Sequence, residues 1–397
     1  MKKNELRIEK IQKALRASDL PGWLFYDFRE SDPIAYQILD LDLDTHPTRR
    51  WFYFVPAEGQ PRKLVHQIES SRLDELPGNK STYLRWQELH SSLEQMLKGL
   101  NRVAMQYSKG NAIPYVSYVD AGTIEMIRLC GVEVISSADL IQRLDAVCDP
   151  LQLAQHKQAA AAITQIVQKA FGETSARIRR AGKTSEFEIQ QFILSCFEEE
   201  GLVTDFPPIV GVNENSANPH YCPLQDQSSD IRSGDFLLID LWARTPGRLT
   251  IFADITWTAV FAPEPSQELV EIFEIVKKAR DQGVRFLKER LSKGETVLGC
   301  EVDDAVRDVI RRAGRAEYFT HRTGHSLGRE VHGSGVNFDN LETQDTRQVI
   351  PGLLCTIEPG VYLADFGIRS EIDIYIGEDG PEITTQPQDS ILTFPCD

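Results

Sequence analysis

The chain has 397 residues, enough for one to three hydrophobic cores, with 41% hydrophobic and 26% charged residues as in ordinary folded proteins. Its formal charge of -16 speaks against a nucleic-acid or anionic-membrane partner, because both attract a basic face. The basic cluster Arg311, Arg312 and Arg315 reads as a solvated helix face and does not reverse that balance. The seven cysteines are odd in number, scattered, and never form a C-x-x-C pair, which suits neither a disulfide framework nor a zinc ribbon. The opening "MKKNELRIEKIQKALRASDL" lacks a secretory apolar stretch, and no run reaches the roughly 18 apolar residues of a membrane span. A cytoplasmic chain is expected.

Residues 1–150 alternate helix and strand patterns. An amphipathic helix carrying Ile8, Ile11 and Leu15 comes first, followed by the short runs "WLFYDF", "RWFYFVP", "RKLVHQ", "RVAMQY" and "VEVISS". This spacing predicts a small α/β domain. Its loop "ESDPIAYQILDLDLDTHPTRR" has acids and prolines but no phosphate-cradling glycines. From about 151 a long Ala/Gln-rich helix begins, and a second helix opens on a capping box, Ser185 with Glu188, and closes at Gly201. Strands follow at "FLLIDLWA" and "LTIFADITWTAVF". The plan then repeats: a helix over about 266 to 290 with Leu269, Ile272, Phe273 and Val276 on one face, and another over about 300 to 313 ending at Gly314. Strands "GLLCTIEPGVY" and "GIRSEIDIYI" complete it. Residues 151–397 thus read as two helix-helix-strand-strand halves, whose strands are expected in one sheet with helices outside.

Four carboxylates interrupt those apolar strands: Asp240, Asp254, Glu358 and Glu371. Taken singly, each is ordinarily an acid paired with an arginine or capping a turn. Burying one ionised carboxylate costs several kcal/mol, and four together repel one another unless concentrated positive charge neutralises them. A pair of divalent ions such as Mn, Co, Fe or Zn supplies that charge. The segment "HRTGHSLGREVHG" adds His321, His325 and His332, three of the chain's eight histidines within twelve residues. Its glycines at 324, 328 and 333 indicate a loop or strand entry of close backbone approach. His220, in "GVNENSANPHY", reads by itself as a turn residue.

In this order, Asp240, "ADIT" with Asp254, "GHSLG" with His325, "TIEPG" with Glu358 and "GIRSE" with Glu371 resemble a known signature. It is the five-ligand set of the methionine aminopeptidase, prolidase and aminopeptidase P family, the creatinase-like pita-bread metallopeptidases. The resemblance covers 151–397, and 1–150 is similar in size and texture to the N-terminal domain of the proline-handling branch. It implies an α+β pita-bread catalytic domain with pseudo-twofold halves after a smaller α/β domain. It further implies two divalent ions, with Asp254 and Glu371 bridging, Asp240 on one, and His325 with Glu358 on the other. A water or hydroxide between them attacks an Xaa-Pro bond, with Glu358 as proton shuttle and His220 and His332 binding the intermediate. His321 matches a histidine of the proline-specific branch. Arg369 matches an arginine that meets a substrate carboxylate, or equally serves as partner to a metal-binding acid. The expected partners are a small peptide and a second copy of the chain.

The sequence also departs from that pattern. Trp242 stands where a small residue is usual, and "RTPGRL" lengthens the turn between Asp240 and Asp254. Gly333 replaces an acid after the second histidine, Ile372 follows Glu371 where a second acid is common, and the link after Gly333 is long. Other readings of the same fold are a non-peptide C-N hydrolase or lyase, a methionine aminopeptidase, and a non-catalytic binding module.

Overall fold

The computed structural model describes residues 2–42 and 46–396, so three positions of the acid-rich loop, 43–45, lie outside the described residues. The chain forms two compact units, Met1–Asp145 and Ala146–Asp397. The first is built on a mixed six-stranded sheet with the order Asn79–Tyr83, Arg62–His66, Trp51–Pro56, Gly22–Asp27, Arg102–Met105 and Glu133–Ser136. Its central strands Gly22–Asp27 and Trp51–Pro56 are almost wholly apolar because both faces are covered. Trp23 and Phe25 enter one core, while Leu24 and Tyr26 enter the other. The helix Lys2–Ala17 buries Ile8, Ile11 and Leu15, as its spacing predicts. The strand Asn79–Tyr83 had no apolar signal, since it is an edge strand with only Tyr83 buried.

In the second unit, helix Pro150–Ala181 is capped by Asp149, whose side chain accepts the Gln152 N–H, and ends at Gly182 with φ +76°. Helix Glu186–Glu199 carries the expected Ser185 and Glu188 capping box. Both pack on a hairpin of Phe236–Ala243 and Ala253–Val260, where Ile163, Val167 and Ile193 meet Ile239, Leu241 and Ile255. Helices Gln267–Leu291 and Gly299–Arg312 cover the second half, with Ile272, Phe273, Val306 and Ile310 packed against Val361 and Ile368. The repeated layout expected from the sequence is present.

The single sheet is not. Ile209–Val212, the hairpin and Leu392–Thr393 make a four-stranded sheet, while Leu354–Ile357, Ile372–Gly377 and Gly380–Ile383 make a separate three-stranded one. Gly360–Tyr362 pairs with Gly367–Arg369 alone. The reason lies at the seam between halves. The Asp254 N–H donates to a carboxylate, Asp373 Oδ2 at 2.9 Å, rather than to a backbone carbonyl, and Ser370 and Glu371 fall outside any ladder. The seam keeps one long peptide bond, Glu371 N–H to Thr256 O at 3.4 Å, with the Asp373 carboxylate in place of a further one.

Candidate metal centre

The hairpin register sets Asp240 opposite Thr256 and Trp242 opposite Asp254. Strand side chains alternate faces, so these four share one face while Ile239, Leu241, Ile255 and Trp257 take the other, against the helices. The lengthened turn does not disturb this pairing, which runs unbroken from Phe236 with Val260 to Ala243 with Ala253. Its residues fold back instead: Phe252 N donates to Gly328 O at 3.0 Å, and Trp242 packs in a cluster containing Phe252, Leu327 and Val331. The enlarged hairpin therefore props the loop that leads to His332.

His325 arrives through that glycine-rich loop. A Cβ at Gly324 would lie 2.1 Å from Thr356 O, and one at Gly333 would lie 2.8 Å from the Leu327 carbonyl carbon. No acid could occupy position 333, which accounts for that departure. The His325 N–H donates to Thr356 Oγ1 at 3.0 Å, and the Thr356 hydroxyl donates to Glu358 Oε1 at 3.2 Å. His325 Nδ1 donates to Ser326 O at 3.1 Å, so its Nε2 lone pair faces the acids. Nε2 lies 3.4 Å from Glu358 Oε1 and 3.9 Å from Asp254 Oδ2.

Asp254, His325 and Glu371 each present a ligand atom within 4.8 Å of the other two, and all three are buried. Asp240 and Glu358 flank this cluster and face Arg369. One Arg369 nitrogen pairs with Asp240 Oδ2, Nε donates to Thr256 Oγ1 at 2.9 Å, and Nη1 donates to the Tyr362 hydroxyl at 3.0 Å. Glu358 Oε2 lies 3.9 Å from Arg369 Nε. Thr256 in turn donates to Glu371 Oε2 at 2.7 Å. Of the two sequence readings of Arg369, this arrangement is that of a partner to a site acid. Tyr362 completes the chain of contacts by donating to His321 Nε2 at 2.7 Å, because His321 Nδ1 is spent on Arg322 O at 2.7 Å.

His332 stands edge-on to His325 with ring centroids 4.4 Å apart. His220 is exposed on the turn after the 3₁₀ segment Asn213–Ala217, within electrostatic range of His332. The nine residues singled out by sequence therefore gather about one place in the second unit, with His220 at its outer edge. Sequence reasoning missed Thr256, Tyr362 and Asp373. Thr256 was legible in principle, two positions after Asp254 and on its face. Tyr362 was not, because nothing in "PGVY" distinguishes it from a core tyrosine.

The electrostatics of the site suit a cation. Burial drives the Asp254 carboxyl far above its ordinary value, and the nearby charges of Glu371 and Asp240 add to the rise. Glu371 is raised by burial and by Glu358. Burial lifts Glu358 to about 7, with Arg369 pulling the other way. His325 is lowered by burial, and His332 is lowered to about 4 by burial and the charge of Arg322. Among the described residues, buried Asp240 Oδ1 and Asp254 Oδ1 find no hydrogen-bond partner. Crowded acids, orphaned oxygens and a neutral imidazole with an inward lone pair make an oxygen-rich set with one nitrogen, which suits a hard or borderline divalent ion.

The chain is similar to proteins already described. The sequence profile of metallopeptidase family M24 matches residues 154–378. An uncharacterized peptidase of Bacillus subtilis, YqhT, is 36% identical over 193 residues, 48% of this chain and 49% of that protein. The Xaa-Pro dipeptidase of Lactobacillus delbrueckii subsp. lactis is 28% identical over 218 residues, covering 54% of this chain and 55% of that one. The match thus spans about half the length of these curated relatives. Across nearly the whole chain, the crystal structure of dipeptidase PepE from Mycobacterium ulcerans shares the fold, with TM-score 0.72, 20% identity, and coverage of 99% of this chain and 98% of that one. The α+β pita-bread architecture expected from the sequence is therefore present. With residues 154–378, more than half of its length, matched by that profile, the chain belongs to metallopeptidase family M24.

Proposed function

We propose that the chain is a divalent-metal hydrolase that cleaves the peptide bond preceding proline, as an Xaa-Pro aminopeptidase or Xaa-Pro dipeptidase. The observation that carries this reading is the buried meeting of Asp254, His325 and Glu371 within 4.8 Å, beside carboxylate oxygens with no protein partner. Asp240, Asp254, His325, Glu358 and Glu371 would hold two ions. Bound there, such ions neutralise the acids, polarise a carbonyl and lower the pKa of water so that a nucleophile exists at neutral pH.

The chain's own residues do the rest. Glu358, hydrogen-bonded by Thr356 and tuned by Arg369, accepts a proton and returns it to the leaving nitrogen. His332 and His220 donate to the carbonyl oxygen as charge develops there. Arg369 holds Asp240 and, through the Tyr362 hydroxyl, fixes the His321 ring, which would border the substrate. The name of the Lactobacillus relative supports proline specificity. The same reading makes the protein a cytoplasmic homodimer that uses manganese, cobalt, zinc or iron and takes small peptides.

Hydrolysis of Xaa-Pro dipeptides, Xaa-Pro-peptides, Met-peptides and small amides, each with Mn, Co or Zn, tests the proposal. Cleavage of at least one Xaa-Pro class is expected. Cleavage of Met-Ala peptides with no Xaa-Pro turnover would overturn it.

A further inference from the structure

Behind the acid cluster lies a second buried pair that the proposed chemistry does not use. Asp373 follows Glu371 by two residues in the apolar strand Ile372–Gly377 and has no solvent exposure. Its Oδ2 accepts the Asp254 N–H at 2.9 Å. The backbone of Asp373 is itself pinned, since its N–H donates to Thr385 Oγ1 at 2.8 Å and its carbonyl accepts the Thr384 N–H at 2.9 Å. His156, fully buried in helix Pro150–Ala181, faces Asp373 with Nε2 at 3.8 Å from Oδ2.

At that separation the two side chains do not hydrogen-bond each other, and each holds a different partner. His156 Nδ1 lies 2.8 Å from Phe252 O, an obligate acceptor, so Nδ1 carries the proton. Nε2 pairs with the Thr384 hydroxyl at 2.7 Å, which also lies 3.3 Å from Asp373 O, and burial pushes the imidazole down to about 4. Two side chains from different elements thus grip one short backbone stretch, His156 at Phe252 and Asp373 at Asp254. Between them they fix the strand entry from which the Asp254 carboxylate projects into the acid cluster.

We propose that Asp373 and His156 are a positioning pair, pegging the backbone at 252 to 254 so that Asp254 meets His325 and Glu371 at the metal centre. Asp373 stands two residues beyond Glu371, on the strand Ile372–Gly377. It acts as a hydrogen-bond acceptor for the Asp254 amide, and its charge is not what the site requires. The inference rests on the metal reading above.

Asp373→Ala, Asp373→Asn and His156→Gln separate these roles, with Mn affinity measured by titration of the metal-stripped chain and thermal unfolding measured without metal. Asp373→Ala is expected to weaken Mn binding by about 10- to 100-fold, the usual cost of losing a group that orients a ligand. Asp373→Asn, which keeps an acceptor oxygen, is expected to stay within about threefold of the wild type. Wild-type affinity in Asp373→Ala overturns the pair, as does an Asn variant as weak as the Ala variant, which would make the charge the operative feature. If Asp373→Ala does not fold, His156→Gln decides: folded with wild-type affinity, it overturns the pair. A wild-type chain that binds no divalent ion overturns the metal reading itself, and is told apart by needing no variant.

Discussion

Each site acid was legible because a carboxylate in an apolar strand is costly, and that cost had to be met by something outside the strand. The same logic applies to Asp373 in "SEIDIYI", whose carboxylate is met by the Asp254 amide. His156 could not be found this way. Its partners, Phe252 and Thr384, lie 96 and 228 residues away, and an isolated histidine in an Ala/Gln-rich helix has no local mark. At this scale two substitutions separate holding an ion from handling the substrate. Glu371→Ala removes an acid of the three-residue cluster, and is expected to abolish both turnover and metal retention in a folded protein. Metal analysis after dialysis, beside circular dichroism, checks this, and retained activity would mean the ligand set is wrong. His332→Ala is expected to keep the metal and lower kcat by about 10² to 10³, the range for a donor to a developing oxyanion. Loss of metal instead would reassign His332 as a ligand.

Among the elements, the helices and the hairpin followed directly from periodicity and capping, down to the Ser185 and Glu188 box and the turn at Gly201, whose φ is +66°. Sheet membership did not follow, because a side-chain hydrogen bond in place of a backbone one leaves no trace in an apolar pattern. The lengthened hairpin also gains a role only in three dimensions. Trp242 packs with Leu327 and Val331 beneath the loop leading to His332, so Trp242→Ala should destabilise the fold by about 2 to 4 kcal/mol, somewhat under the full range for a wholly buried tryptophan. Kinetics on the folded variant should show kcat falling with metal content unchanged. A variant with wild-type stability and kcat would leave Trp242 without a supporting function.

For the whole molecule, the acid cluster makes stability depend on pH and on metal in opposite senses. The carboxyls of Asp254, Glu371 and Asp373 are all raised by burial, and Glu358 is raised to about 7. An acid raised in the folded state holds its proton there after the unfolded chain has lost it. Stability of the metal-free protein is therefore greatest below the ordinary carboxyl value near 4, as far as these groups decide it, and is lost as pH rises from there toward 7. The buried neutral histidines His156, His325 and His332 act in the opposite sense up to about pH 6.5, so melting temperatures of the chelator-treated chain should fall with pH between about 6.5 and 7.5. A divalent ion at about 100 times its Kd should restore about 2.7 kcal/mol at neutral pH, and a flat profile with no response to metal would count against the cluster as a cation site. The described residues include no helix long and apolar enough to cross a membrane.

The seam between the two half-sheets carries a consequence for motion. Within each half, amides are locked in peptide ladders, but across the join the Asp254 N–H rests on the Asp373 carboxylate and the Glu371 N–H reaches Thr256 O only at 3.4 Å. An ion held by Asp254 from one half and by His325 and Glu371 from the other would act as the rivet through that join. In deuterated water, withdrawing the ion should therefore quicken exchange at 253 to 256 and 369 to 372, while the ladders on either side keep their protection. The site would then be the place where the two halves are fastened, as well as the place where they work.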